Sequence, residues 1–131
     1  MKTPQELINK ALEAREFAYA PYSGFLGGAA LEGKSGQVYT GANVENASYG
    51  LTVCAERIAV FKAVSSGEKE FSQIAIAGSG EGPTYPCGAC LQVLAEFAPG
   101  LTIYTGSDPG QYQVFNLSEM LPQAFSLNTR R

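Results

Sequence analysis

The order of apolar periodicities along the chain predicts an α/β domain, a mixed sheet covered by helices on both faces. Helix-spaced apolar sets recur in three places, residues 7–12, 53–64 and 91–98. Short runs with strand character alternate with them. The chain has 131 residues, which suits one domain burying roughly two-thirds of the surface of its unfolded form. Residues 1–131 are therefore expected to form a single domain.

Thr3 caps the first helix and Pro4 suits its first position. Leu7, Ile8, Ala11 and Leu12 follow helical spacing towards Phe17, and Pro21 ends the segment. Residues 25–31 read as a strand, turned through 32–36 into a second strand near 37–40, a hairpin. Residues 43–50 are loop-like. Thr52 is expected to cap the next helix, with Glu56 and the apolar set Val53, Ile58, Val60, Phe61 and Val64 behind it. Ser65, Ser66 and Gly67 close it.

Residues 71–77 carry Ile74 and Ile76 and read as a buried strand; residues 78–86 are a Gly/Pro loop. A helix over 87–97 places Leu91, Leu94, Ala95 and Ala98 on one face and ends at Pro99 and Gly100. Strands follow at 101–105 and 111–115. Ser118 is expected to cap a last short helix through Met120, with Pro122 in its early turns.

Charge narrows the partners. Nine Lys and Arg against twelve Asp and Glu give a net charge of −3, and charged residues are only 16% of the chain. So few charges on a small domain imply surface hidden against further copies of itself. A phosphate backbone needs clustered Lys and Arg, and Arg130 with Arg131 is a lone terminal pair. Nucleic acid is thus not an expected partner. A membrane is not expected either, because no apolar run reaches the ~18 residues a span requires. The polar, helix-patterned first twelve residues lack a signal-peptide core, and the expected location is the cytoplasm.

Three cysteines and no histidine restrict the chemistry. An odd cysteine count argues against a disulfide framework. Without histidine, Ser-His-Asp and Cys-His catalysis are excluded, and an acid or base has to be a carboxylate, Lys, Tyr or a metal-bound water.

All three cysteines fall at predicted helix starts: Cys54 in Cys54-Ala55-Glu56-Arg57, Cys87 and Cys90 in Pro86-Cys87-Gly88-Ala89-Cys90. The C-x-x-C spacing lets two thiolates converge on one tetrahedral ion, and Cys54 supplies a third. Three protein ligands leave one position open, the pattern of a catalytic zinc rather than a structural one. A four-ligand knuckle is excluded by count; a redox pair would leave Cys54 and Glu56 unexplained. Helix N-termini favour anionic sulfur. Three thiolates around Zn²⁺ leave a net negative centre, which Arg57, one turn beyond Cys54, is placed to offset. Glu56 does not share a helix face with Cys54, so it need not ligate; it is expected to reach over the open position and shuttle a proton.

Across these residues the chain resembles the cytidine deaminase family, in its small homotetrameric branch. The resemblance rests on Ala20-Pro21-Tyr22-Ser23, Phe25, Gly28-Ala29-Ala30-Leu31, the stretch from Gly41 to Gly50 (Gly-Ala-Asn-Val-Glu-Asn-Ala-Ser-Tyr-Gly), both cysteine motifs, Leu121-Pro122 and Phe125. It implies a three-layer α/β/α fold with a five-stranded mixed sheet, one Zn²⁺ held by Cys54, Cys87 and Cys90, and a homotetramer. The implied reaction is hydrolytic deamination of cytidine and 2'-deoxycytidine to uridine and 2'-deoxyuridine, a step of pyrimidine salvage. Zinc would activate water for attack at C4, and Glu56 would carry the protons. By the same resemblance the Ala55 N–H would hold the 2-oxo group, Asn43 and Glu45 the ribose hydroxyls, and Phe25 the pyrimidine face. Tyr49 and Phe125 look like residues contributed across subunit contacts.

Two positions depart from the family pattern. Leu91 stands where Arg is usual, and Gly27 where Val is usual. Both changes suggest room and lower polarity beside the pocket, hence an expected tolerance of N4-substituted cytidines. A deaminase of another aminopyrimidine nucleoside, such as blasticidin S, is the alternative within the superfamily, though Asn43-Val44-Glu45-Asn46 matches nucleoside deaminases. A polynucleotide cytosine deaminase fits the acidic charge less well. A noncatalytic zinc-stabilised binding module would have no reason to keep Glu56.

Overall fold

Helix α1 (Pro4–Arg15) begins the three-layer arrangement in the computed structural model, which describes residues 1–127; the Arg130 and Arg131 pair lies outside the described residues. Its start is a capping box: the Thr3 hydroxyl accepts from the Glu6 N–H at 3.1 Å, and the Thr3 N–H donates to Glu6 Oε1 at 2.8 Å. There follow β1 (Gly27–Gly33), β2 (Val38–Ala42), a 3-10 turn (Tyr49–Leu51), α2 (Ala55–Ser65) and β3 (Phe71–Gly78). The chain continues with α3 (Gly88–Phe97), β4 (Thr102–Asp108), β5 (Gln111–Asn116) and α4 (Leu117–Met120).

The five strands form one sheet in the order β2-β1-β3-β4-β5. Every pairing is antiparallel except β3 with β4, which α3 joins as a crossover. β1 and β3 are interior strands, so their side chains alternate between two covered faces. Ala30, Ala75 and Ala77 meet Leu7, Ile8 and Ala11 of α1. Ala29, Leu31, Ile74, Ile76 and Ile103 share the opposite core with Ala59 and Val60 of α2 and Leu91 and Leu94 of α3.

The element order matches the sequence expectation, and the boundaries shift for identifiable reasons. β1 starts at Gly27 rather than Phe25, because the Asn43 side chain takes the Phe25 carbonyl and the Gly27 N–H, each at 2.9 Å. α1 stops at Arg15, short of Phe17, in tight turns that bring the Phe17 and Ala18 N–H groups to the Ala14 and Arg15 carbonyls at 3.0 and 3.1 Å. Cys54, not Thr52, is the N-cap of α2; the Thr52 hydroxyl instead accepts from the Asn46 N–H at 3.2 Å. Asn116, not Ser118, caps α4, forming a capping box with Glu119. Pro122 lies beyond the end of that helix.

Two glycines let helices approach the sheet. A Cβ at Gly28 would collide with the Ala11 carbonyl oxygen and lie 2.7 Å from the Arg15 nitrogen. A Cβ at Gly41 would collide with the Ala55 carbonyl oxygen and lie 2.7 Å from the Ala59 nitrogen. The first turn of α2, which carries Ala55 and Glu56, is therefore seated directly on β2.

Candidate active site and metal centre

Both site helices begin with cysteine. Cys54 is the N-cap of α2 and Cys87 the N-cap of α3, both in extended backbone conformation and neither making a side-chain cap. Ser, Thr, Asn or Asp at such a position typically contributes about 1 kcal/mol through that bond. The sequence forgoes it at two helices and places sulfur at the positive end of each dipole instead.

The crossover brings Cys90, in the first turn of α3, towards Cys54. The three Sγ atoms lie within 4.8 Å of one another, and Cys87 Sγ is 3.5 Å from Cys90 Sγ. A tetrahedral zinc with bonds of about 2.3 Å would hold its sulfurs about 3.8 Å apart, so these spacings bracket a zinc centre. Cys90 is buried, Cys54 half-buried and Cys87 exposed. Among the described residues the three sulfurs are the atoms grouped closely enough to share an ion.

The donor chemistry supports a dication as well. A hydrogen bond from Cys90, helped by the Arg57 guanidinium, pulls the Cys54 thiol down to about 5. Cys90 is pushed above the ordinary thiol range by that same bond and by burial. Arg57 donates to Cys54 Sγ at 3.5 Å, and its Nε is buried without a partner among the described residues. One guanidinium stabilises one thiolate; ionising all three sulfurs requires a further positive charge between them. The residues thus fit Zn²⁺ in number, spacing and charge.

Beside the sulfurs lies a cavity of about 160 Å³. Glu56, Cys54 and Cys87 border it, and Ile76 and Ala77 of β3 give it an apolar wall. Glu56 is only 6% exposed, and burial pushes its carboxyl up to about 7. The nearby Cys54 charge acts in the same direction. A carboxyl whose proton is balanced near neutrality suits repeated proton transfer.

The structure brings Phe25, Gly27, Asn43 and Ala55 to the same cavity. Phe25 rests against Gly78, where a Cβ would lie 2.6 Å from its Cζ and collide with Thr84 Oγ1. Arg15 donates to the Gly78 carbonyl at 2.8 Å, so the end of α1 fixes the strand end that supports this ring. The Asn43 amide, through its bonds to Phe25 and Gly27, orients the cavity rim.

Glu45 and Tyr49 lie in an adjoining cavity of about 390 Å³ with Tyr22, Ser23 and Thr52; Thr52 borders both cavities. The Glu45 carboxylate accepts from the Tyr22 N–H at 2.9 Å, the Ser23 N–H at 3.2 Å and the Ser23 hydroxyl. The Ser23 hydroxyl bond is the main cause holding its carboxyl below the usual range. Tyr49 is 75% exposed and packs edge-on against Tyr22 at 6.0 Å. Phe125 borders neither cavity; it is 68% exposed, its backbone clipped by Gln92 at 2.9 and 3.2 Å.

Leu91 corrects one expectation. It is buried in the core with Leu94 and Ala55 and does not border the cavity, so it adds no room there. Apolar packing under α3 explains its identity. Thr52, read from the sequence only as a helix cap, borders the cavity, as do Thr84 and Tyr85, which the sequence does not single out. For Thr84 and Tyr85 the available signal was their place in the loop that carries Cys87.

A family model described as the cytidine and deoxycytidylate deaminase zinc-binding region matches residues 1–105. The chain is 53% identical to a cytidine deaminase of Halalkalibacterium halodurans, over 93% of each chain. It is 46% identical to one from Sporosarcina psychrophila, over 93% of this chain and 90% of that one. Among solved structures, a Burkholderia pseudomallei cytidine deaminase superposes with a TM-score of 0.90 at 48% identity, covering 95% of this chain and 100% of that one. A Mycobacterium tuberculosis cytidine deaminase gives 0.83 at 38%, covering 97% and 100%.

Proposed function

We propose, from the premise that this chain belongs to the cytidine and deoxycytidylate deaminase family, that it hydrolyses cytidine and 2'-deoxycytidine to uridine and 2'-deoxyuridine with release of ammonia. The observation that carries this reading is Glu56, buried on the wall of the cavity that Cys54 and Cys87 also border. Loss of cytidine absorbance with time, measured with and without a strong chelator, tests it. Turnover that stops on chelation and returns with zinc is expected; no turnover by zinc-loaded protein refutes it.

Cys54, Cys87 and Cys90 would hold the zinc, and when bound it acidifies water so that a nucleophile exists at neutral pH. Glu56 takes the proton released from water, delivers it to N3 of the pyrimidine and then helps the exocyclic amine depart as ammonia. Arg57 draws charge from Cys54 and keeps the sulfur set from becoming too electron-rich. Phe25 supports the pyrimidine face, and the Ala55 N–H, at the first position of α2, donates to the 2-oxo group. Asn43 and Glu45 bind sugar hydroxyls from the rim. Such a site rejects the free base, because its polar groups would be left unpaired.

The protein acts as a cytoplasmic homotetramer in pyrimidine salvage on this reading. Exposed Tyr49, Leu51, Phe17 and Phe125 supply the apolar surface for subunit contacts. Tyr49 and Phe125 complete a neighbour's substrate site. Light scattering is expected to give the mass of four chains, and an active monomer at assay concentration would remove both residues from the site.

Tolerance of N4-substituted cytidines rests on Gly27, since Leu91 lies in the core. A Cβ at Gly27 would meet Phe25 Cε2 at 3.6 Å and Asn43 Oδ1 at 3.7 Å, ordinary contacts that a folded variant accommodates. Gly27→Val is expected to deaminate cytidine while its rate ratio of N4-methylcytidine to cytidine falls several-fold. An unchanged ratio removes Gly27 as a cause, and a wild type that turns over neither N4-methyl nor N4-acetyl cytidine ends the idea.

A further inference from the structure

Tyr85 occupies a place that the reaction itself leaves unexplained. It borders the catalytic cavity with Glu56 and Cys54, yet the residue is 55% exposed, so it stands between the cavity and solvent. Its hydroxyl donates to Gln113 Oε1 at 2.9 Å, and its ring meets Phe115 edge-on at 5.8 Å and 71°. Both partners belong to β5, at the edge of the sheet. The ring is thereby held as a fixed side wall.

Chemistry places the leaving nitrogen on that side. C4 has to face the sulfur cluster for attack, and its exocyclic nitrogen is bonded directly to C4. Thr84 and Tyr85 belong to the loop that carries Cys87 and border the cavity beside it. A group attached to the nitrogen would extend beside this loop, where the partly exposed Tyr85 stands.

We propose that Tyr85, clamped by Gln113 and Phe115, is a specificity-determining residue whose ring receives a flat acyl or aryl substituent on the exocyclic nitrogen of the nucleoside. This rests on the reading of the cavity as a cytidine site. Hydrolysis of such a substrate balances as it does for cytidine. Water adds at C4, the C4–nitrogen bond breaks, and the nitrogen leaves as a neutral primary amide or amine with a proton delivered by Glu56. Stacking between a flat group and an aromatic side chain supplies the selectivity.

The test is calorimetric binding of cytidine and N4-benzoylcytidine to zinc-loaded protein carrying Glu56→Gln, where turnover does not interfere. Adding Tyr85→Ala is expected to raise the ratio of the two Kd values, N4-benzoylcytidine over cytidine, about tenfold. Gln113→Ala, which leaves the ring and its Phe115 contact but removes its hydrogen bond, moves the ratio the same way by a smaller factor. Tyr85→Phe with Gln113→Ala goes no further than either alone, because both break one hydrogen bond. A ratio within twofold of the parent in Tyr85→Ala, or no binding of N4-benzoylcytidine where cytidine binds, overturns the proposal. Failure of cytidine itself to bind, with zinc present, overturns the reading of the site and the proposal with it.

Discussion

Glu56→Gln is expected to keep the fold and one zinc per chain while lowering turnover of cytidine by ~10²–10⁴-fold or more, because one group serves several proton transfers. Gln preserves the volume in a buried setting and removes only the titrating proton. The structure fixes this carboxyl at the start of α2, seated on β2 through Gly41, with a proton affinity balanced near neutrality. Zinc content, circular dichroism and kcat measured on the same preparation decide the matter. A variant with near-normal rate removes Glu56 from the mechanism. The metal-free protein supplies an independent signature. A carboxyl raised to about 7 binds its proton more tightly folded than unfolded. That contribution to stability is full below the ordinary carboxylate range and is lost as pH rises through about 7. Metal-free Glu56→Gln should lack this loss, so stability compared across that window separates the variant from wild type in the stated direction.

Replacing Cys90 by Ser is expected to abolish both zinc and activity. Cys90 is the fully buried member of the set, and it meets both other sulfurs. Without it, Cys54 and Cys87 hold only two positions from separate helices, and affinity collapses. A ligand present at a thousand times its Kd stabilises a protein by about 4 kcal/mol. Losing it should therefore lower Tm by roughly 10 °C or more in a domain of this size. Metal analysis is expected to show about one zinc per wild-type chain and less than about a tenth per variant chain, on the basis of the three-ligand set. A variant that retains full zinc would exclude Cys90 as a ligand. A wild type that is active with half a zinc or none would exclude the centre altogether.

The sequence was most readable where chemistry depends on residue type and spacing. Three cysteines at two helix starts, with Glu56 and Arg57 following the first, point to a metal and an acid/base by residue type and spacing alone. Element order was readable because the apolar period changes cleanly between helix and strand. Helix ends were less so, since they depend on which side chain wins a local hydrogen bond. Thr52 looked like the cap of α2, but Asn46 holds its hydroxyl; Ser118 looked like the cap of α4, but Asn116 pairs with Glu119. Leu91 illustrates a different limit: helical spacing puts it on one face with Leu94, but only the packed sheet shows that this face enters the core and turns away from the cavity. Tyr85 shows the converse: its role depends on Gln113 and Phe115, partners 28 and 30 positions away, whose approach only the sheet creates.

The order of the strands also sets when the protein can become an enzyme. Cys54 precedes β3 in the chain, while Cys87 and Cys90 follow it. In the folded chain β3, paired with β1 on one side and with β4 on the other, is the segment across which the three sulfurs are brought together. A misregistered chain does not hold the three sulfurs in this arrangement. High-affinity zinc binding is therefore expected to report a correctly formed sheet. In a population containing misfolded molecules, activity per chain should fall while activity per bound zinc stays constant.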